Sequence, residues 1–135
     1  MGGSEMILLD THIWVWWINN SKELTTVQRN TIVKNSSGGL ALSVISIWEV
    51  AKLVEKERII LNMPVLEWIE KAIDYSGIKV YPLSSKIIVE STELKGEFHN
   101  DPADQLIVAT SITENIPILT ADSKILKYSY VKKVM

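Results

Sequence analysis

The chain has 135 residues, 47% of them hydrophobic and 22% charged, with a net charge of −2 and no cysteine. That length suits one domain with a proper core, and the composition is that of an ordinary globular protein. The charge balance excludes a broad attraction to nucleic acid or anionic membrane, and the missing cysteines exclude disulfides and thiolate metal sites.

Met1 to Glu5 read as a leader or cloning extension, which leaves 6–135 as a single domain. The longest unbroken apolar run, Ile13 to Ile18, is too short to span a membrane. Nothing at the N-terminus resembles a signal peptide, so no membrane partner is expected and a reducing cytoplasm fits.

Met6 to Leu9 is apolar throughout, the pattern of a strand buried on both faces. Asp10 can cap a helix through Ile13, Trp14, Trp16 and Trp17. Thr25 or Thr26 opens a second helix, which stops before the turn signal Ser36-Ser37-Gly38-Gly39. Leu40-Ala41-Leu42 is a short second strand. From Ile45 to Val54 the apolar residues trace a helical face, and Ser46 and Glu49 have the spacing of a capping box.

Pro64 suits the first turn of the next helix and Gly77 its C-terminal cap. No strand separates the two helices between Ser43 and Ser76, which predicts an arm standing partly away from the sheet. Ile78 to Leu83 is a third strand, followed by a helix from about Ser84 to Leu94. Asp101-Pro102 opens a helix ending near Asn115, Pro117 to Ala121 is a fourth strand, and Val131 to Val134 forms a short fifth. This alternation predicts an α/β fold with a central parallel β-sheet and right-handed crossovers.

Four acids stand out against this frame. Asp10 and Asp122 each close an apolar run, and Glu49 and Asp104 are expected in the opening turns of two amphipathic helices. In a parallel sheet the carboxyl ends of the strands face the amino ends of the following helices, where ligands bind. Each acid alone is explained by helix capping or the helix dipole. The set is not, because ionised carboxylates sharing one edge repel unless they are protonated or bridged by a cation. Asp10, Glu49 and Asp104 are therefore the candidate metal ligands, with Asp122 as a fourth acid. Asp101, directly before Pro102, is expected mainly to support the helix start, and Thr11 to bond a ligand, a water or its own helix.

The residues Leu8-Leu9-Asp10-Thr11-His12, Ser43 to Ala51, His99 to Ala109 and Thr120-Ala121-Asp122 together resemble PIN domains. The resemblance is to the VapC-type toxin ribonucleases of prokaryotic toxin–antitoxin pairs, and it covers essentially the whole chain after the leader. It implies a three-layer α/β/α sandwich and an endoribonuclease needing magnesium or manganese. It also implies a homodimer, and neutralisation by a small antitoxin whose tail enters the acidic cleft. The family's three central acids fall on Asp10, Glu49 and Asp104, and its fourth on Asp122. One position departs: relatives usually carry arginine after the second aspartate of the Asp-Pro-x-Asp motif, and here Gln105 stands there.

An oxygen-only pocket suits Mg²⁺ or Mn²⁺, and such a cation lowers the pKa of a bound water and holds a phosphodiester oxygen. The expected reaction is hydrolysis of RNA by metal-activated water, with Asp122 either holding a second cation or orienting the water. His12 has no orienting partner in the sequence, and His99 is expected in solvent. Trp14 and Trp17 share a helix face, which leaves Trp16 as the candidate for an interface. The apolar residues Ile59-Ile60-Leu61, Val65, Leu66, Trp68 and Ile69 give the proposed arm either a docking surface for antitoxin or a second subunit, or the surface by which its two helices pack against each other. Lys52 and Lys56, one turn apart on the Glu49 helix, can flank the cleft.

Two other functions compete. A catalytically silent binding module would use the acids only as caps. A magnesium-dependent phosphotransfer or phosphatase domain would need a second aspartate where His12 stands, or a paired acid beside Asp10.

Overall fold

A computed structural model describes residues 5–134. The leader residues 1–4 lie outside them. Four parallel strands form one sheet: β1 (Ile7–Leu9), β2 (Leu40–Ser43), β3 (Lys79–Tyr81) and β4 (Ile118–Leu119), in the order β3-β2-β1-β4. Chain order runs outward from β1 to β3 and then returns to place β4 on the other side of β1. The reversal makes the carboxyl ends of β1 and β4 a topological switch point, where a crevice opens.

Strand periodicity sorts the core into two faces. Ile7, Leu9, Leu40 and Leu42 join Ile13, Trp14, Ile32 and Val50 in one cluster. Their neighbours Leu8 and Ala41 join Ile107, Val108, Ile118, Ile125 and Val131 in the other. The first face is covered by α1 (Thr11–Ile18), α2 (Thr26–Asn35), α3 (Val44–Glu55) and α4 (Val65–Ser76). The second is covered by α6 (Pro102–Glu114) and α7 (Ser123–Lys127), with α5 (Ser85–Ser91) packed on α6. This is a three-layer α/β/α sandwich.

The helix starts follow their local chemistry. Asp10 caps α1 through the Thr11 N–H, and Thr25 and Gln28 form a reciprocal capping box at α2. Asp101 caps α6 with Pro102 at its first position, and Asp122 caps α7. Gly77 takes a left-handed conformation (φ 62°) to end α4, a geometry that glycine adopts without a Cβ penalty.

Four expectations are corrected. The Ser46–Glu49 capping box is absent: β2 runs buried to Ser43, and Ser43 caps α3 by accepting from the Ile45 N–H. Glu49 is thus one turn further into the helix than expected, and Ser46 is buried. The α3–α4 pair is not a free arm. Helix α4 lays Trp68, Ile69 and Ala72 into the core, the Trp68 ring lies 5.1 Å from that of Trp14, and its indole N–H donates to Asn19 Oδ1 at 3.0 Å.

Ile59, Leu61 and Val65 also pack on that core, so only Ile60 and Leu66 of the proposed docking surface stay well exposed. The third strand is shorter than expected, ending before Pro82, which lacks an N–H for the ladder. Finally, Val131–Val134 contributes a single parallel bridge, Ile118 with Lys133, in place of a full strand.

Candidate metal centre

The site begins at the end of β1. Asp10 leaves the strand at the switch point, and both of its oxygens are held by neighbours. Oδ1 accepts from the Thr11 N–H at 2.8 Å and Oδ2 from the Thr120 hydroxyl at 2.6 Å. Thr120 follows β4 directly and also accepts from the Asp122 N–H, so one hydroxyl links the ends of both strands. Asp10 is only 6% exposed. Burial, the largest effect, pushes its carboxyl above the usual range, against the lowering by Thr120 and Thr11.

Glu49 reaches the same crevice from α3. Its Oε1 lies 2.5 Å from the Thr11 hydroxyl, which also pairs with Ser46 Oγ at 2.8 Å. An ionised carboxylate only accepts, so the single Thr11 proton is directed to Glu49 and Ser46 must supply the other bond. Burial raises the Glu49 carboxyl, Thr11 opposes this, and Asp10, Asp101 and Asp122 raise it further.

Asp101 and Asp104 come from the first turn of α6. Asp101 Oδ1 accepts from the Ala103 and Asp104 N–H groups. Glu49, Asp101 and Asp104 each offer an oxygen within 4.8 Å of the other two. Asp104 is raised as well: burial first, then the charges of Asp10, Asp101, Asp122 and Glu49, push it up to about 8. A carboxyl held this way at neutral pH is relieved either by a proton or by a cation.

All five acids line one cleft of about 390 Å³, together with His12 and Trp16. The donor set is entirely oxygen and fits a hard divalent cation. Asp101, expected chiefly as helix support, therefore stands in the tight triplet as well as capping α6. Asp10, expected beside Glu49 and Asp104, lines the same cleft with both oxygens already bonded. Asp122 lines it from the start of α7, its Oδ1 accepting from the Lys124 and Ile125 N–H groups.

One residue departs from its expected place, and a second is placed at the cleft. His99 is not in open solvent: its Nε2 lies 3.0 Å from Asp104 Oδ2, an ion-pair distance without the alignment of a hydrogen bond, and its side chain is 20% exposed. Phe98, against which its ring packs, and the bond from Gln105 Nε2 to the His99 carbonyl hold it there. The unusual Gln105 thus anchors the loop behind the cleft. Trp16, expected at an interface, lines the cleft beside His12, with ring centroids 5.8 Å apart. Neither contact had a local signal, since each joins loops or helix faces by position in space.

Residues 7–129 match the model of the PIN domain. The chain is also 30% identical over 128 residues to Ribonuclease VapC22 of Mycobacterium tuberculosis, covering 95% of both proteins. The chain belongs to the PIN domain family, in its VapC group.

Among solved structures, this PIN domain is similar to VapBC2 from Rickettsia felis, captured bound to a DNA fragment from the promoter. The TM-score is 0.68 at 21% identity, over 96% of this chain and 97% of that one. It is also similar to a toxin–antitoxin complex from Klebsiella pneumoniae, with a TM-score of 0.64 at 17% identity, over 95% and 99%. At these identities the likeness is one of fold, and it agrees with the sheet order and layers of this PIN domain. No helix among the described residues is long and apolar enough to cross a membrane.

Proposed function

We propose that this protein is a metal-dependent endoribonuclease, the toxin of a toxin–antitoxin pair, which hydrolyses RNA phosphodiesters in its acidic cleft. The observation that carries the reading is the triplet Glu49, Asp101 and Asp104, with oxygens within 4.8 Å, at the switch point of a PIN fold. The ribonuclease name of the Mycobacterium tuberculosis relative supports the activity. The toxin–antitoxin complex of matching fold supports a small antitoxin as partner. RNA as substrate and the absence of cysteine favour the cytoplasm.

Glu49, Asp104 and Asp10 are the residues we assign to hold the cation, with Asp101 able to add an oxygen. Mg²⁺ or Mn²⁺ suits such a set. When bound, the cation supplies a Lewis acid for the phosphodiester and acidifies the attacking water. The protein's own part is positional. Thr11 fixes Glu49, and Thr120 with the Thr11 N–H fixes Asp10, so neither carboxylate needs to reorganise. Asp122, across the cleft, orients the attacking water or holds a second cation. A homodimer is the assembly we expect in solution.

The test pairs binding with cleavage. Wild type should bind Mn²⁺ by calorimetry and cut RNA in a reaction that EDTA stops. Asp10→Asn should unfold like wild type and cut no RNA. An Asp10→Asn protein that cleaves at the wild-type rate sinks the assignment of that residue, and a wild type that binds no divalent cation sinks the enzyme reading.

A further inference from the structure

Beside the acidic cleft, and sharing Glu49 and Asp101 with it, lies a second hollow of about 260 Å³. Its wall is built by α3 and the segment after it: Trp48, Lys52, Lys56 and Arg58, faced by Pro102 of α6. Glu49 and Lys52 stand at i and i+3 of α3 and share a face, and Lys56, the C-terminal cap of that helix, continues the row. The helix that brings a carboxylate to the cleft thus carries a row of cations away from it.

Trp48 is 53% exposed, although most large apolar side chains of this helix are at least partly covered. The Lys52 ammonium lies 5.9 Å from its ring centroid and 2.9 Å from Glu55. Lys56 and Arg58 are exposed and make no salt bridge among the described residues. Glu55 and Glu57 alternate with these cations in sequence but do not line the hollow, whose charged lining is Lys52, Lys56 and Arg58 with Glu49 and Asp101 at the side it shares with the cleft.

Resting on the ribonuclease reading, we infer that this hollow is the path of single-stranded RNA flanking the scissile phosphodiester, with Trp48 as a base-stacking platform and Lys56 and Arg58 as phosphate contacts. Charge complementarity and continuity with the acid triplet select a polyanion over an apolar ligand. An indole flanked by cations suits a strand that offers a base and a phosphate at each step. Such contacts are tolerant of sequence, because every base has a stacking face.

The experiment measures anisotropy of a labelled, unstructured RNA of randomised sequence, with Ca²⁺ in place of Mg²⁺. Trp48→Ala should weaken binding about tenfold or more, as loss of one stacked base does, and Trp48→Phe should recover most of it. Lys56→Ala/Arg58→Ala should flatten the salt dependence of log Kd by about 1.4, at about 0.7 per lost phosphate contact on a single strand. In cleavage assays both variants should raise KM far more than they lower kcat, with the Mn²⁺ isotherm and melting temperature kept.

Variants that match wild type in RNA affinity, salt slope and KM overturn the path while leaving the ribonuclease reading intact. Variants that keep RNA binding but lose a purified antitoxin overturn it in favour of a protein-docking face. A wild type that neither binds nor cleaves RNA removes the ribonuclease reading, and the path with it.

Discussion

The Thr11 hydroxyl lies 2.5 Å from Oε1 of Glu49, joining the first residue of α1 to the second turn of α3 across 38 positions of sequence. That one bond fixes how the α3 carboxylate faces the acid that ends β1. Thr11→Val keeps the shape and removes the donor. It should weaken Mn²⁺ binding by about 10- to 100-fold, the usual range for losing a group that orients a metal ligand. Thr11→Ser should restore most of the affinity. Calorimetry on the three proteins decides it, and equal affinities would show that Glu49 needs no such support.

Asp104 is a partly buried carboxyl among four other acids, and burial first, then repulsion from their charges, pushes its pKa up to about 8. Asp104→Asn removes that repulsion along with a ligand. In EDTA at pH 8 the variant should therefore melt at a higher temperature than wild type, while its Mn²⁺ binding is lost. A variant that melts lower in EDTA would mean that the ionised carboxylate is stabilising there, through a partner such as His99.

The same shifts set a pH dependence with a definite sign. Asp10, Glu49 and Asp104 all have folded-state pKa values above their ordinary ones. Between the ordinary carboxylate range and about pH 8, the native state then binds more protons than the unfolded chain. Metal-free protein should lose stability as pH rises through that window. Mn²⁺ affinity should rise over the same window, because the ligands must deprotonate to bind. Thermal melts with EDTA and with Mn²⁺ from pH 5 to 9 should diverge; parallel curves would contradict the coupling.

Trp68 tests where α4 belongs. Its ring meets Trp14 at 5.1 Å inside the core and its indole bonds Asn19. Trp68→Ala should cost about 3–5 kcal/mol in urea unfolding, as expected for deleting a buried aromatic. Trp68→Phe should cost less, chiefly through the lost Nε1 bond. A surface arm would tolerate Trp68→Ala with almost no loss.

Local chemistry was legible in the sequence where it was local in cause. Asp10, Thr25, Asp101 and Asp122 all cap the helices they were expected to open, because a cap requires only its own next three residues. Glu49 shows the limit. Ser46 and Glu49 have capping-box spacing, yet buried β2 extends to Ser43 and starts the helix early, so tertiary burial displaced a local preference.

The sequence by itself determined the alternation of strands and helices, and hence a parallel sheet with acids gathered at its carboxyl edge. Periodicity and caps are written in neighbouring residues. Only the tertiary structure decided which acids crowd together, that α4 packs into the core, and that His99 lies against Asp104. Each of these depends on distances between elements far apart in the chain. Those distances are set by packing and by the return of β4 beside β1, and no local pattern encodes them.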